Sequence, residues 1–336
     1  MAVESRGRAE ACLGMVPGDV IPLLQALLFP GVLFLVAFAL FSEWMDRKVV
    51  ARLQNRVGPY YAGPAGILQP LADFIKLLAK EDIVPAAADR LLFTSVPVVM
   101  LALALTPLFV IPLAAPSALT WFEGDLIFIM FLMSLLAVTT FIGAWASTNR
   151  FSALGGVRAA LQMLGYEIPL TLALIGPALA AQSLSVSRIA QAQAGGLWYV
   201  VTQPLGFAIV VVSFLAELHL IPFDVPEAET ELVAGWLVEF SGKKLALLRL
   251  TKNLEVVLAA SLMTALYLGG PEAPWGLPPV LGFLLKAVPC LLLLANLRAL
   301  FARFRIDQAL RGAWTYLTPL AFLQVAAVQA ASLVIP

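Results

Sequence analysis

Residues 203–240 read QPLGFAIVVVSFLAELHLIPFDVPEAETELVAGWLVEF, and this stretch decides the fold. It begins as an almost entirely apolar run and turns, from residue 217 on, into an acidic segment without Lys or Arg. The carboxylates are Glu217, Asp224, Glu227, Glu229, Glu231 and Glu239. A charged side chain costs about 2.5–3.5 kcal/mol at the centre of a bilayer, so such groups usually face a bundle interior or a water-filled cavity. Acid of this density beside an apolar span predicts ion movement rather than packing.

The composition is that of an integral membrane protein. Hydrophobic residues make up 61% of the 336 residues and charged residues only 12%, which lies outside the range of soluble globular proteins. We therefore predict an all-α, polytopic membrane protein with about eight transmembrane helices, forming a single membrane domain over residues 1–336. The net charge of zero gives no indication of a nucleic-acid partner. Because Cys12, Cys290 and His219 are the only cysteines and histidine, we predict that this chain holds no metal.

Eight apolar segments are long enough to cross a bilayer, which takes about 20 residues. They are residues 21–42, 91–114, 124–147, 159–182, 199–222, 245–268, 277–301 and 313–335. Lys and Arg concentrate in alternate loops, the longest of which are 43–90 and 223–244. The positive-inside rule predicts that these loops are cytoplasmic and that both termini lie on the outer side of the cell's inner (plasma) membrane.

The sixth segment carries charge near its start. Arg249, Lys252 and Glu255 recur there at spacings of three, so they share one helical face. They can pair with one another or with the neighbouring acids.

The long loop 43–90 is predicted to contain two amphipathic helices. In 46–56, Val49, Val50 and Leu53 fall on one face among basic residues, which is typical of a helix lying in the headgroup plane. Two Gly-Pro pairs then predict turns, and Pro70 opens the second helix. These helices either only fix the topology or frame a mouth through which an amphipathic molecule enters from the membrane.

Four segments carry a resemblance to a known family and occur in that family's order. They are DRKVVARLQNRVGP (46–59), GPAGILQPLADFIKLLAKED (63–82), FSALGGVRAALQMLGYEIPL (151–170) and PFDVPEAETELVAGWLVEFSG (222–242). They resemble the signature segments of the H subunit family of complex I, the NADH-quinone oxidoreductase, and of the related membrane subunit of energy-converting hydrogenases. The similarity extends over nearly the whole chain, from about residue 46 to residue 319.

The resemblance implies a subunit without a catalytic centre of its own, placed under a hydrophilic redox arm. It implies no cofactor bound by this chain alone, a quinone at the subunit interface, and iron–sulfur clusters in neighbouring subunits. The implied partners are the arm subunits, small membrane subunits, antiporter-like pumping subunits and membrane lipid. By position, the residues at the entrance of the quinone chamber would be Asp46, Arg47, Arg52 and Arg56. Those of the proton path and coupling would be Asp73, Glu167, Glu217, Asp224, Glu227, Glu229, Glu231 and Glu239, with His219, Arg249 and Lys252 as further candidates.

The residues support this chemistry independently, because burial brings a carboxyl group into the range where it exchanges protons near neutral pH. Glu167 and Glu217 are the best candidates, since each lies within or at the edge of an apolar span. The alternative for both is an acid satisfied by helix packing. His219 is either a hydrogen-bonded interface residue or a proton relay.

The chain departs from the quinone-reducing branch at particular positions. That branch reads Glu-Thr-Asn-Arg where this chain has Glu217, Leu218, His219 and Leu220, so an expected arginine is missing. Arg249 stands where an aromatic residue is expected, and Lys252 where an acid is expected. These differences resemble the hydrogenase side of the family, so a membrane anchor of an energy-converting hydrogenase or ferredoxin-linked complex is the alternative function. A stand-alone secondary transporter is a remote one, because the sequence shows no internal repeat.

Overall fold

The computed structural model describes residues 24–272 and 276–334, apart from the side chains of residues 229, 230 and 332–334. This part of the chain is helical and contains no β-strand. The helices are α1 Val32–Leu53, α2 Gln69–Ala79, α3 Arg90–Leu105, α4 Asp125–Ala146, α5 Arg150–Ala181, α6 Val186–Ala192, α7 Tyr199–Thr202, α8 Pro204–Glu217, α9 Glu229–Leu232, α10 Gly242–Tyr267, α11 Pro279–Leu300, α12 Ile306–Gly312 and α13 Thr318–Val334.

The fold is that of a polytopic membrane protein, as predicted. Within the described residues, five helical stretches are long and apolar enough to cross a membrane: Leu24–Leu53, Arg90–Phe109, Asp125–Ala146, Arg150–Ala181 and Pro279–Leu300. The apolar helix α8 is shorter, and α10 has 26 residues with its charged residues in the first half. Each of the eight predicted spans overlaps at least one helix of the described residues, although only five stretches meet the length and composition required of a span on their own. Residues 21–23 and 335 of the predicted spans lie outside the described part of the chain.

The first predicted surface helix is not separate from the first span. Residues 46–53 continue α1 without a break, so the prediction of an independent helix over 46–56 was wrong. The physical reason is that the sequence offers no Gly or Pro between Val32 and Gly58 that would end the helix. The second predicted helix is confirmed as α2, with Pro70 in its first turn.

Two further boundaries differ from the prediction. The fourth span begins at Arg150 rather than near residue 159, because Asn149 caps the helix by accepting a hydrogen bond from the Phe151 amide at 2.9 Å. The fifth span is interrupted at Gln203, which separates α7 from α8.

Helix α10 forms the centre of the bundle. It packs against α1, α3, α11 and α2, and every side chain from Val257 to Tyr267 is buried. The Tyr267 hydroxyl donates to the Ala173 carbonyl of α5 at 2.7 Å, which satisfies its polar end inside the core.

Two loop regions meet at one end of the bundle, which we call the long-loop end. Ser241 lies within hydrogen-bond distance of the Ile83 amide, 3.1 Å, and the Lys244 ammonium donates to Asp82 at 2.6 Å. The aromatic ring of Phe240 stacks on Phe93 at 4.3 Å between centroids. The segments 54–89 and 218–241 are thereby tied to the same end of α10.

The start of α5 approaches the acidic segment closely. A Cβ atom at Gly155 would lie 2.6 Å from the Trp236 backbone nitrogen, and Ser152 donates to the Trp236 carbonyl at 3.0 Å. The absence of a side chain at Gly155 is therefore what lets residues 235–237 pack on α5.

We predict that Gly155→Ala destabilises the protein, because the new methyl group would meet backbone atoms that cannot move independently. Overpacking of this kind costs about 1–3 kcal/mol, measured as a lower midpoint of thermal unfolding of the purified protein in detergent. Gly312→Ala is the matched control, because nothing lies within 4 Å of the added Cβ there. Equal midpoints for the two variants would contradict this account of the packing.

Candidate functional site

A cavity of about 290 Å³ lies at the long-loop end, enclosed by α1, α10, α11 and the segment 219–227. It gathers residues that are far apart in the sequence. The lining consists of Ser42, Glu43, Met45, Asp46, Arg47, His219, Leu220, Ile221, Asp224, Glu227, Arg249, Lys252, Asn253, Val256, Leu291, Leu294, Ala295 and Arg298.

All four acids of this lining form ion pairs. Asp46 accepts from Arg298 at 2.5 Å, and Glu43 pairs with Arg47 one helical turn away. Asp224 accepts from Arg303 at 2.7 Å. Glu227 accepts from the Lys252 ammonium through both of its oxygens, each at 2.7 Å. The negative charge of the cavity is therefore matched by cations of the same chain.

Arg249 is the exception among the cations of the lining. Its guanidinium forms no hydrogen bond and no ion pair with any residue that the structure describes. Its positive charge interacts with Asp73 only at longer range. A guanidinium carries five N–H donors and stays protonated. The cavity thus offers an unpaired positive charge with free donors.

Arg47 connects three helices at the edge of the cavity. It donates to Asp73 of α2 at 2.6 Å and to Glu43 of α1, while Asn253 of α10 donates to the other Glu43 oxygen at 2.5 Å. Asp73 also accepts from Gln69 at 2.9 Å. Although burial opposes ionisation, these hydrogen bonds and the charge of Arg47 hold the pKa of Asp73 below its ordinary value.

The structure brings Asp46 and Arg47 to the cavity, whereas the other two predicted entrance residues lie apart from it. Arg52 and Arg56 are exposed at the end of α1 and beyond it, and neither belongs to the lining. Their role at an entrance stays a prediction.

The chain is not helical between α8 and residue 228. Gln162 of α5 is hydrogen-bonded to both ends of the first part of this break. Its side-chain amide donates to the carbonyl of Ala216 at 2.6 Å and to that of Phe223 at 2.8 Å. His219, inside the break, has a positive φ of 50°. Glu217 is the last residue of α8, directly before the break. Leu220 and Ile221, within the break, line the cavity.

Two further predicted acids, Glu217 and Glu167, lie outside the lining of this cavity. Glu217 is 8% exposed, and its Oε2 atom has no hydrogen-bond partner among the described residues. Glu167 is half-buried between α4 and α5, where it accepts a hydrogen bond from Ser134. Glu217 interacts electrostatically with Glu167 and with Glu255 of α10.

Comparison with known proteins identifies the family. The family model described as NADH dehydrogenase matches residues 26–329. The H subunit numbered 1 of the NADH-quinone oxidoreductase of Geobacter metallireducens is 38% identical over 309 residues, covering 89% of this chain and 92% of the relative. The chain belongs to the H subunit family of complex I. The H subunit of Thermomicrobium roseum is 40% identical over 87% of this chain and 90% of its own length, and the one numbered 2 of Rhodopseudomonas palustris is 39% identical over 88% and 92%.

The membership in this family confirms the resemblance carried by the four sequence segments. Within this member of the family, the four segments meet one another in pairs at the long-loop end. Arg158 of the third segment donates to Glu231 of the fourth at 2.5 Å, and Arg47 of the first donates to Asp73 of the second.

The acids of the loop differ in their electrostatics. Burial opposes the ionisation of Glu227, but the charge and hydrogen bonds of Lys252 outweigh it and hold its pKa below the ordinary value. Burial raises the pKa of Asp224, against the hydrogen bond from Arg303. The hydrogen bond and charge of Arg158 lower the pKa of the exposed Glu231. Glu239 accepts from Asn149, and the side chain of Glu229 lies outside the described part of the structure.

Several residues at this site were missed by sequence reasoning. Glu43, Asn253 and Arg298 line the cavity and take part in its hydrogen bonds, but none stood out in the sequence. The spacing of Glu43 and Arg47, four apart on a helix, is the signal that could have indicated their pairing. Among the described residues, no three His, Cys, Asp or Glu side chains are grouped as metal ligands.

We predict that Lys252→Met destabilises the folded protein at neutral pH, because it leaves the Glu227 carboxylate largely buried without its partner. The cost of such an orphaned group is about 1–3 kcal/mol. The pKa of Glu227 is depressed in the folded protein, so the pair stabilises above that pKa and its contribution is lost as the pH falls through it. The difference between variant and parent should therefore shrink when thermal unfolding is repeated in acid.

The control for this prediction is Arg188→Met, which breaks the exposed pair with Glu123, whose side chains are 53% and 61% exposed. Exposed pairs contribute about 0–1 kcal/mol. A loss of stability in Lys252→Met no larger than that of the control would contradict the role assigned to the Lys252–Glu227 pair.

Proposed function

We propose that this chain is the membrane subunit that couples quinone reduction to proton or sodium translocation in a complex-I-like respiratory oxidoreductase. The curated relatives, which are named as H subunits of NADH-quinone oxidoreductases, support this function over a hydrogenase anchor and over a transporter. The chain contributes no catalytic centre. It would form one side of the quinone site, and its carboxylates would respond to the charge that forms when the quinone is reduced.

The observation that carries the proposal is the cavity with its unpaired guanidinium. At about 290 Å³ it approaches the lower limit of small-molecule pockets, about 300 Å³, which fits a quinone headgroup with the tail outside. Quinone oxygens are hydrogen-bond acceptors, and they become more negative on reduction. Arg249 is the donor in the lining that is free to meet them.

Arg249 also accounts for the missing arginine. Leu220 stands where the quinone-reducing branch has that residue, and Leu220 and Arg249 line the same cavity from different elements. The positive charge is thus supplied from α10 instead of from the break after α8. In this proposal the replacement of the arginine by Leu220 changes the position of the positive charge and does not abolish the quinone site.

The long-loop end is the face on which the redox arm would dock, with iron–sulfur clusters in the arm subunits. Exposed aromatic side chains there, Tyr60 and Tyr61, suit a protein contact. The distribution of Lys and Arg supports a cytoplasmic position for this end, with the chain termini on the outer side. Small membrane subunits and antiporter-like pumping subunits would flank the bundle within the lipid.

The carboxylates would carry the coupling. A negative charge formed in the cavity acts first on the paired acids Asp224 and Glu227, which contribute to its wall. Glu217 would follow, directly before the break, and then Glu167, which lies between α4 and α5. The ion pair of Arg47 with Asp73 would stabilise the opposite wall of the cavity. Lys252 and His219, which line the cavity, are the remaining candidates for this path.

The quinone site is tested with Arg249→Leu in the assembled oxidoreductase. A hydrogen bond to a charged donor is worth about 1.5–3 kcal/mol, so the KM for quinone should rise about tenfold or more. Arg249→Lys should retain part of the affinity because it keeps the charge. Arg188→Gln, a loss of positive charge away from the cavity, is the control. An unchanged KM in an assembled Arg249→Leu complex would exclude the cavity as the quinone site.

The coupling role is tested with Glu217→Gln, which keeps the size and shape of the side chain but cannot exchange a proton. We expect an assembled complex with a lower ratio of translocated protons to transferred electrons. Proton translocation and quinone reduction are measured together in liposomes. A ratio equal to that of the parent would remove Glu217 from the path.

A further inference from the structure

Glu255 of α10 lies between the quinone cavity and Glu217, although it belongs to none of the four family segments. Two smaller cavities lie behind the large one, with volumes of about 40 and about 20 Å³. The first shares His219, Glu227, Arg249 and Lys252 with the large cavity, and the second is lined by Glu217. The three cavities therefore form a series that leads from the quinone site into the bundle.

Glu255 lies at the junction between the two small cavities. Leu136, Met163 and Glu255 line both of them, and only Glu255 of these three is polar. Any proton that passes from one cavity to the other must pass this carboxyl group or cross an apolar wall. The position is set by α10, whose charged face turns Arg249, Lys252 and Glu255 towards the same side.

The polar atoms at both ends of this junction indicate water. Each small cavity has room for at least one water molecule, which needs about 10–15 Å³ of accessible space. His219 lines the first cavity and Glu217 the second, and His219 Nε2 and Glu217 Oε2 are both buried without a hydrogen-bond partner among the described residues. Buried polar groups are rarely left unsatisfied, so water that bridges these atoms to Glu255 is the simplest arrangement.

Glu255 also lacks the contacts of an acid kept for packing. It makes no hydrogen bond within the described part of the chain, and its interactions there are the long-range ones with Lys252, Glu227 and Glu217. A carboxyl group placed in a membrane helix without hydrogen bonds is costly, whereas an apolar side chain of similar size would fill the same space.

We propose that Glu255 is a proton-carrying residue that joins the quinone cavity to Glu217. The inference rests on the proposed coupling function. It adds the residue that connects the quinone cavity to Glu217. In the forward step, the Glu255 carboxylic acid gives its proton through a water of the second cavity to the Glu217 carboxylate. Glu255 is then a carboxylate, and it takes a proton from a water of the first cavity, which is in turn reprotonated by water in the quinone cavity. One O–H bond breaks for each that forms, and no electron is transferred in these steps.

The test compares Glu255→Gln and Glu255→Asp in the assembled oxidoreductase in liposomes. Glu255→Gln should lower the proton-to-electron ratio as much as Glu217→Gln does, and Glu255→Asp, which keeps a carboxyl group, should recover part of it. The double variant with Glu217→Gln should lose little more than either single one, because both residues serve one path. Glu123→Gln is the control, since this exposed acid lies outside all three cavities and contacts Arg188 and Ser183.

A second readout separates proton transfer from a purely structural role. Redox-induced infrared difference spectra report the carbonyl stretch of carboxyl groups that change protonation, and the Glu255 band should be absent in Glu255→Gln. A parental ratio in Glu255→Gln, or an unchanged spectrum, overturns the inference. If Glu217→Gln lowers the ratio while Glu255→Gln does not, only the connection through Glu255 fails; if neither does, the coupling function itself fails.

Discussion

A charge inside a membrane protein must find a partner or reach water, and this constraint organises the long-loop end of the chain. Separating a charged group from both costs several kcal/mol. The acids around the large cavity meet the constraint by pairing, and the pairs cross between elements: Arg298 of α11 with Asp46 of α1, and Lys252 of α10 with Glu227 of the acidic loop. The same contacts that neutralise charge therefore hold together the walls of the cavity.

Among the described residues, four to which a function is assigned escape pairing, whereas Asp224 and Glu227 of the same path are paired. In the part of the chain that the structure describes, Arg249 faces the cavity with free donors, Glu217 and His219 keep buried atoms without partners, and Glu255 makes no hydrogen bond. Packing alone gives no reason for any of these groups to be polar. Each is accounted for if a ligand or water occupies the adjoining cavity.

Much of this arrangement follows from local sequence signals, and the rest depends on contacts that no local signal encodes. The apolar runs predict the helices, and the three-residue spacing of Arg249, Lys252 and Glu255 predicts their common face. The spacing leaves open whether they pair with one another or with the neighbouring acids, and the structure pairs Lys252 with Glu227. The continuation of α1 to Leu53 was missed because an amphipathic pattern fits a surface helix and the end of a longer helix equally well. The pairing of Asp46 with Arg298 joins residues more than two hundred positions apart, so neither residue alone indicates it. For the same reason Glu255 looked like one member of a charged face, and only the cavities on both sides of it distinguish it from the others.

In the proposed coupling, the break after α8 is the element through which a charge in the cavity acts on Glu217, which does not line that cavity. One short segment begins with Glu217, contributes Leu220 and Ile221 to the cavity wall, and ends at Asp224, whose partner Arg303 lies beyond α11. Gln162 bonds to the carbonyls of Ala216 and Phe223, so it holds both ends of the segment to α5 while leaving the residues between them without a continuous helical ladder to resist displacement. A change of charge next to Asp224 or Leu220 therefore acts on the same stretch of backbone that positions Glu217. In this proposal a continuous helix would resist the displacement and a free loop would not transmit it, whereas a short break held at both ends by Gln162 can move and transmit.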